Sequence, residues 1–181
     1  MQTKQSRRVA IGGMVSALCL LLMFMTGLFP FATFAMPAFA GLLILVIVVE
    51  IGMRWAWLVY LGVAILSIFI APDREAALLF AVFFGYYPIA RLLIERIRLR
   101  PLVWVCKFAL FNLALGGLYG ASVALLGTEQ LIASFGEVRQ YGLATFWILF
   151  NITFVAYDFA LKQLFLCYVG WFRPRFLRRI G

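Results

Sequence analysis

PDREAALLFAVFFGYYPIARLLIERIRLR, residues 72–100, reads as one complete crossing of an apolar layer with both of its charged ends. Asp73, Arg74 and Glu75 stand at its start, and an uncharged run follows from Ala76 to Ala90. Arg91, Arg96, Arg98 and Arg100 then crowd its end around the single acid Glu95. About 20 helical residues cover the roughly 30 Å of a bilayer's hydrocarbon core. The stretch therefore predicts a membrane-spanning helix over 76–97 whose basic end stays in the cytoplasm. Asp73 is placed to cap the helix, and Glu75 sits in the first turn, where the helix dipole favours negative charge. Gly85-Tyr86-Tyr87-Pro88 predicts a kink inside it, because proline removes a ladder hydrogen bond. Residues 91–98 alternate charge with aliphatics, the pattern of an amphipathic extension at the cytoplasmic interface.

Working outward, the same punctuation recurs. Further apolar segments cover 9–29, 34–51, 55–71, 102–126 and 142–171, making six spans in all. Charge alternates between their connections. Lys4, Arg7, Arg8, Arg54, Arg91, Arg96, Arg98, Arg100, Lys107, Lys162, Arg173, Arg175, Arg178 and Arg179 fall on the side of the amino terminus. Of the 16 Lys and Arg residues, only Arg74 and Arg139 fall on the other side, beside Asp73, Glu75, Glu129 and Glu137. The pattern predicts an all-α polytopic membrane protein: one bundle of six transmembrane helices, residues 1–181 as a single transmembrane domain, both termini cytoplasmic.

Composition agrees with this class. Hydrophobic residues make up 66% of the 181 and charged residues 13%, about half the charged share of an ordinary soluble domain. The net charge of +9 sits at helix ends on one face, which suits topology signals and anionic lipid headgroups rather than nucleic acid. The start resembles an export signal, with Arg7-Arg8 before an apolar run and Ala38-Phe39-Ala40 like a cleavage site. The apolar stretch between them is too long for a signal core and is split by Pro30 and Pro37, so an uncleaved span is expected. Cys19, Cys106 and Cys167 are isolated and predict neither a disulfide framework nor a zinc site. There is no histidine, which removes the commonest metal ligand and general base. No metal site, cofactor or catalytic set is expected, and an enzyme is disfavoured.

The chemistry available lies in a few polar residues within spans, which by default mark a functional or bundle-interior position. Asp158 stands ten residues before Tyr168, about 15 Å along the helix. Lys162, Asn151 and Trp147 share its helical face. On the antiparallel span five, Asn112 comes level with Asp158, and Tyr119 with Asn151. Two readings are open for Asp158: interhelical glue, through Asn112, Lys162 or Arg91, or a proton-relay or ligand-binding role. Trp147, Asn151, Asn112 and Tyr119 are candidate cavity-lining residues. Lys107 and Lys162 are placed to snorkel to the cytoplasmic surface, and Glu50 with Arg54 to form a local i,i+4 ion pair. Near the start of span one, Gly12/Ser16 and Gly13/Ala17 form two small-xxx-small pairs, a flat face for a neighbouring helix or a partner subunit.

A short six-span chain with such pairs early in span one resembles the substrate-binding S components of energy-coupling factor (ECF) transporters of the bacterial cytoplasmic membrane. The resemblance implies a small, vitamin-like solute held near the outer face by Tyr119, Trp147 and Asn151 and covered by the loop from Pro30 to Pro37. It also implies a transmembrane coupling subunit docked on Gly12, Gly13, Ser16 and Ala17. The chain has no GxxxxGK[ST] motif, so separate ATPase subunits would supply the energy. The family's strict alanine pattern is replaced here by glycine at Gly13. A similar size and topology characterise the rod-shape-determining membrane proteins, which implies the alternative of a membrane scaffold.

Overall fold

The computed structural model describes residues 2–28, 32–126 and 142–170; side chains at 2–4, 119, 121–126, 142–144 and 146 are not among them. All regular structure among the described residues is helical. In chain order the elements are α1 (Gln2–Met25), α2 (Ala32–Glu50), α3 (Met53–Ile70), α4 (Arg74–Leu79), a π-helical segment (Phe80–Phe84), α5 (Tyr87–Ile94), α6 (Arg100–Leu126) and α7 (Gly142–Cys167). Six stretches are long and apolar enough to cross a membrane; the fourth, Arg74–Ile94, joins α4, the π segment and α5. The chain divides into two units, residues 1–118 and 119–181.

In the first unit α1, α2 and α3 pack on one another, and α2 and α3 pack on the fourth span. The core contains Cys19, Met23, Ala40, Ile44, Ile47, Ala56, Val59, Val63, Phe80 and Ile89. Small residues sit at the crossings, which lets apolar helices approach closely enough for dispersion contacts. A side chain added at Gly12 would meet Val59 of α3 at 3.6 Å, and Cys19 Sγ lies 3.6 Å from the Ala40 carbonyl it donates to. α2 and α3 are joined by Ile51 and Gly52 alone. Gly52 adopts φ +113°, a left-handed conformation open to glycine at no steric cost. Glu50 therefore ends one helix and Arg54 stands in the first turn of the next, so they do not share a helical turn as their spacing suggested.

The other ends of these helices are stitched together. Asp73 Oδ1 accepts from the backbone N–H groups of Glu75 and Ala76 at 2.9 and 3.2 Å, the cap expected of it. Its Oδ2 accepts from Thr33 Oγ1 at 2.7 Å, which ties the start of α2 to the start of α4. Gly27 lies against Pro72 so closely that a methyl group there would stand 2.7 Å from the ring. α2 begins at Ala32 and carries Pro37 inside it, so the loop expected over 30–37 is helical from Ala32 onward. Proline is tolerated inside membrane helices where neighbouring groups re-satisfy the backbone it frees, and Pro37 is buried.

The fourth span is interrupted where Gly85 and Pro88 predict. Gly85 N–H reaches the Phe80 carbonyl at 2.8 Å, five residues back, and α5 restarts with Pro88 in its first turn. There the missing N–H costs no internal bond. The Tyr60 hydroxyl donates to the Ala81 carbonyl at 2.6 Å across the break. At its far end α5 stops at Ile94, short of the expected 97. Arg96 and Ile97 donate three residues back, to Leu93 and Ile94, and the turn tightens ahead of Pro101. The amphipathic stretch is thus helical only in its first half.

The distribution of polarity is inverted relative to a water-soluble domain. Phe69, Leu113 and Met14 are 82%, 75% and 67% exposed, while Arg91, Lys107 and Asp158 are 1%, 3% and 4% exposed. Charged residues are almost never fully buried in soluble proteins unless paired, and contiguous exposed apolar surface on this scale marks a non-aqueous or protein-bound environment.

Candidate functional site

The first unit gathers its buried charge at one place, where α5 turns into α6. Arg91 and Glu95 lie one helical turn apart, and the guanidinium Nη2 donates to Glu95 Oε1 at 2.7 Å. Lys107, one and a half turns from Pro101 on α6, donates to the same oxygen at 3.2 Å. Its ammonium also stands 5.4 Å from the centre of the Trp104 ring, within cation–π range. One carboxylate thereby holds two nearly buried cations. Glu95 is itself 37% exposed at the side chain, so the cluster runs from the interior to the surface. Lys107 turns inward to Glu95 rather than snorkelling outward, because an ion pair at close range outweighs the reach of a four-carbon stem into solvent.

The other expected polar residues separate by position. Asn112 donates to the Phe108 carbonyl and Asn151 to the Trp147 carbonyl, each at 2.8 Å and each four residues back on its own helix. In the second unit Phe154, Asp158 and Leu161 form a buried stripe on α7 at spacings of four and three. Lys162 is exposed, one residue round from that stripe. Trp147 is 44% exposed and Asn151 partly buried. The side chain of Tyr119 lies outside the described residues, as do Pro30, Glu129, Glu137, Arg139 and the basic residues after 171.

The two small-residue pairs of α1 divide between inside and outside. Gly12 is buried against α3, and the Ser16 hydroxyl folds back onto the Gly12 carbonyl at 2.8 Å. Gly13 and Ala17 are exposed, and a side chain added at Gly13 would meet nothing within 4 Å. Half of the small face is thus spent on packing within the unit, and half lies open.

Sequence marks Glu95 only as the single acid among the arginines and gives it no place in a site, although its spacing from Arg91 is that of a helical ion pair. Its second partner, Lys107, lies across a turn that periodicity does not reach. Among the described residues no group of three or more His, Cys, Asp or Glu side chains comes together that could hold a metal ion. No protein-family model, curated protein or solved structure matches this chain.

Proposed function

We propose that this chain is an integral membrane protein of the bacterial cytoplasmic membrane, with both termini inside, that binds a small solute as the substrate-binding subunit of an ECF-type importer. In this reading a separate coupling subunit docks on α1 and separate ATPase subunits energise transport. Six apolar helices, buried charges and exposed apolar side chains support the membrane placement. The excess of cations on alternate connections supports the orientation. The observation that carries the importer reading is the open Gly13/Ala17 face of α1. It offers a flat surface for a second protein's helix while Gly12 serves the internal packing. Solute would be held by Trp147 and Asn151 on α7 and by Tyr119 on α6.

Gly13→Leu tests the docking. Nothing lies within 4 Å of a Cβ added at Gly13, so the variant is expected to fold as the wild type does, whereas a leucine would fill the flat face. The expected outcome is purification of the variant without the subunits that accompany the wild type, read by native mass spectrometry. Subunits retained unchanged by Gly13→Leu refute docking there. In the same spectra Trp147→Ala and Asn151→Leu should lose a bound small molecule that the wild type carries. If removal of residues 173–179 strips a protein partner while no solute is ever bound, the scaffold reading replaces this one.

A further inference from the structure

The α5–α6 turn carries three arginines in five residues, Arg96, Arg98 and Arg100, all exposed. Within residues 91–107 Glu95 is the one acid. Its carboxylate is drawn to Arg91 and Lys107, at 2.7 and 3.2 Å. Among the described residues none of the three exposed arginines meets a carboxylate. Exposed apolar side chains neighbour them in the chain: Leu99 is 63% exposed, and Leu102 and Trp104 are each 44% exposed. The surface therefore offers unneutralised guanidinium groups, an aromatic ring and aliphatic side chains within nine residues, at the turn and the start of α6.

We infer that the α5–α6 turn is a binding site for the phosphate headgroup of an anionic phospholipid, an inference that rests on the membrane reading above. Each part of the turn matches a part of that ligand. Arginine forks pair with phosphate oxygens through parallel charge-assisted hydrogen bonds. Leu99 and Leu102 meet the first methylenes of the acyl chains. Trp104 sits at the level where amphipathic rings collect, between headgroup and hydrocarbon. An acidic protein surface would pair with the arginines but would leave these apolar neighbours facing water. The inward pull on Glu95 is the device that makes the site: the acid that would otherwise repel phosphate is held by two buried cations.

The test compares phospholipids retained by the detergent-purified protein, using added phosphatidylglycerol and phosphatidylcholine as probes and native mass spectrometry as the readout. Wild type should retain phosphatidylglycerol preferentially. Replacing Arg96, Arg98 and Arg100 together by Gln should reduce that preference by about tenfold or more, and Arg98→Gln alone by several-fold. Arg74→Gln, on the opposite connection, should leave it unchanged. The single variant decides the matter if the triple variant does not fold. Equal retention of the two lipids by wild type, or an undiminished preference in Arg98→Gln and the triple variant, overturns the site. Complete displacement of phosphatidylglycerol by millimolar inorganic phosphate overturns it in favour of a free-anion site. Alkaline carbonate extraction of cell membranes separates the two failures. Release of wild type into the supernatant refutes the membrane reading beneath, whereas retention with no lipid preference refutes the headgroup site alone.

Discussion

Replacing Gly85 by alanine puts the packing around the break in the fourth span to a quantitative test. The backbone at Gly85 is right-handed helical, φ −74° and ψ −43°, so alanine fits the main chain. By propensity alone it would stabilise a helix by roughly 0.5–1 kcal/mol. The space is what forbids it. A methyl group would stand 2.5 and 2.6 Å from two ring carbons of Tyr60 and 2.9 Å from the tip of Phe80. Tyr60 has little freedom to yield. Its hydroxyl is bound to the Ala81 carbonyl, and its ring packs against Trp57, Phe80 and Tyr86 at centroid distances of 5.7–6.1 Å. Overpacking of this kind costs about 1–3 kcal/mol, and moving the ring forfeits a hydrogen bond of about 1 kcal/mol. The steric cost wins over propensity, and Gly85→Ala should destabilise by about 2 kcal/mol. Gly62→Ala is the control, since nothing lies within 4 Å of a side chain added there and the helical gain should survive. Unfolding in mixed micelles of dodecyl sulfate and a mild detergent, followed by circular dichroism, measures both. The two shortest contacts should be relieved when Tyr60 is replaced by leucine, leaving the one with Phe80, which gives a favourable coupling in the double-mutant cycle. Gly85→Ala as stable as Gly62→Ala, or strictly additive with Tyr60→Leu, refutes the reasoning.

Three further outcomes follow from the connections, each measured by the same unfolding. Gly27→Ala drives a methyl group to 2.7 Å from Pro72, whose ring cannot rotate away, and should cost about 1–3 kcal/mol; a neutral variant would show that the contact is slack. Asp73→Ala removes the cap of α4 together with the bond to Thr33, for about 1–2 kcal/mol, whereas Thr33→Val removes only the second, for about 1 kcal/mol. A larger loss from Thr33→Val than from Asp73→Ala contradicts the capping role. Glu95→Gln leaves Arg91 and Lys107 facing a neutral group and should cost on the order of 2 kcal/mol. That is less than the 3–5 of a fully buried pair, because Glu95 reaches solvent. The loss should shrink when Lys107→Met is present as well, and an equal loss in both backgrounds argues against the shared oxygen.

Much of the architecture was legible because it rests on signals that act within one segment. Length and apolarity alone locate six helices, Asp73 announces its own cap three residues ahead of Ala76, and Gly85 with Pro88 announces the break. Positions that depend on a second segment were harder to read. Lys107 looked free to extend outward because its partner, Glu95, lies twelve residues away across a turn. Pro30 and Pro37 read as the two edges of a loop, but Pro37 is carried inside α2, where its ring is buried. Gly12 and Gly13 are adjacent and chemically identical, and only the placement of α3 makes one internal and the other open. At the candidate site, Trp147, Asn151 and Asp158 were legible as polar or aromatic residues in an apolar run. The cluster of Arg91, Glu95 and Lys107 was legible only in its i,i+4 half.

The π-helical segment sets the rotational phase of everything that follows it in the span. An α-helix advances 100° per residue, and a π turn accommodates one additional residue without ending the rod. Tyr87–Ile94 therefore points about 100° away from where a continuous α-helix from Arg74 would direct it. Deleting one residue between 81 and 84 would let the segment close to α geometry and swing α5 back by that angle. Arg91 and Glu95 would turn together, away from the side on which Lys107 of α6 meets them, and buried Tyr87 and Ile89 would turn with them. The azimuth at which this span presents its charge is thus governed by a single residue of chain length, held in place by the Tyr60 hydroxyl on the Ala81 carbonyl.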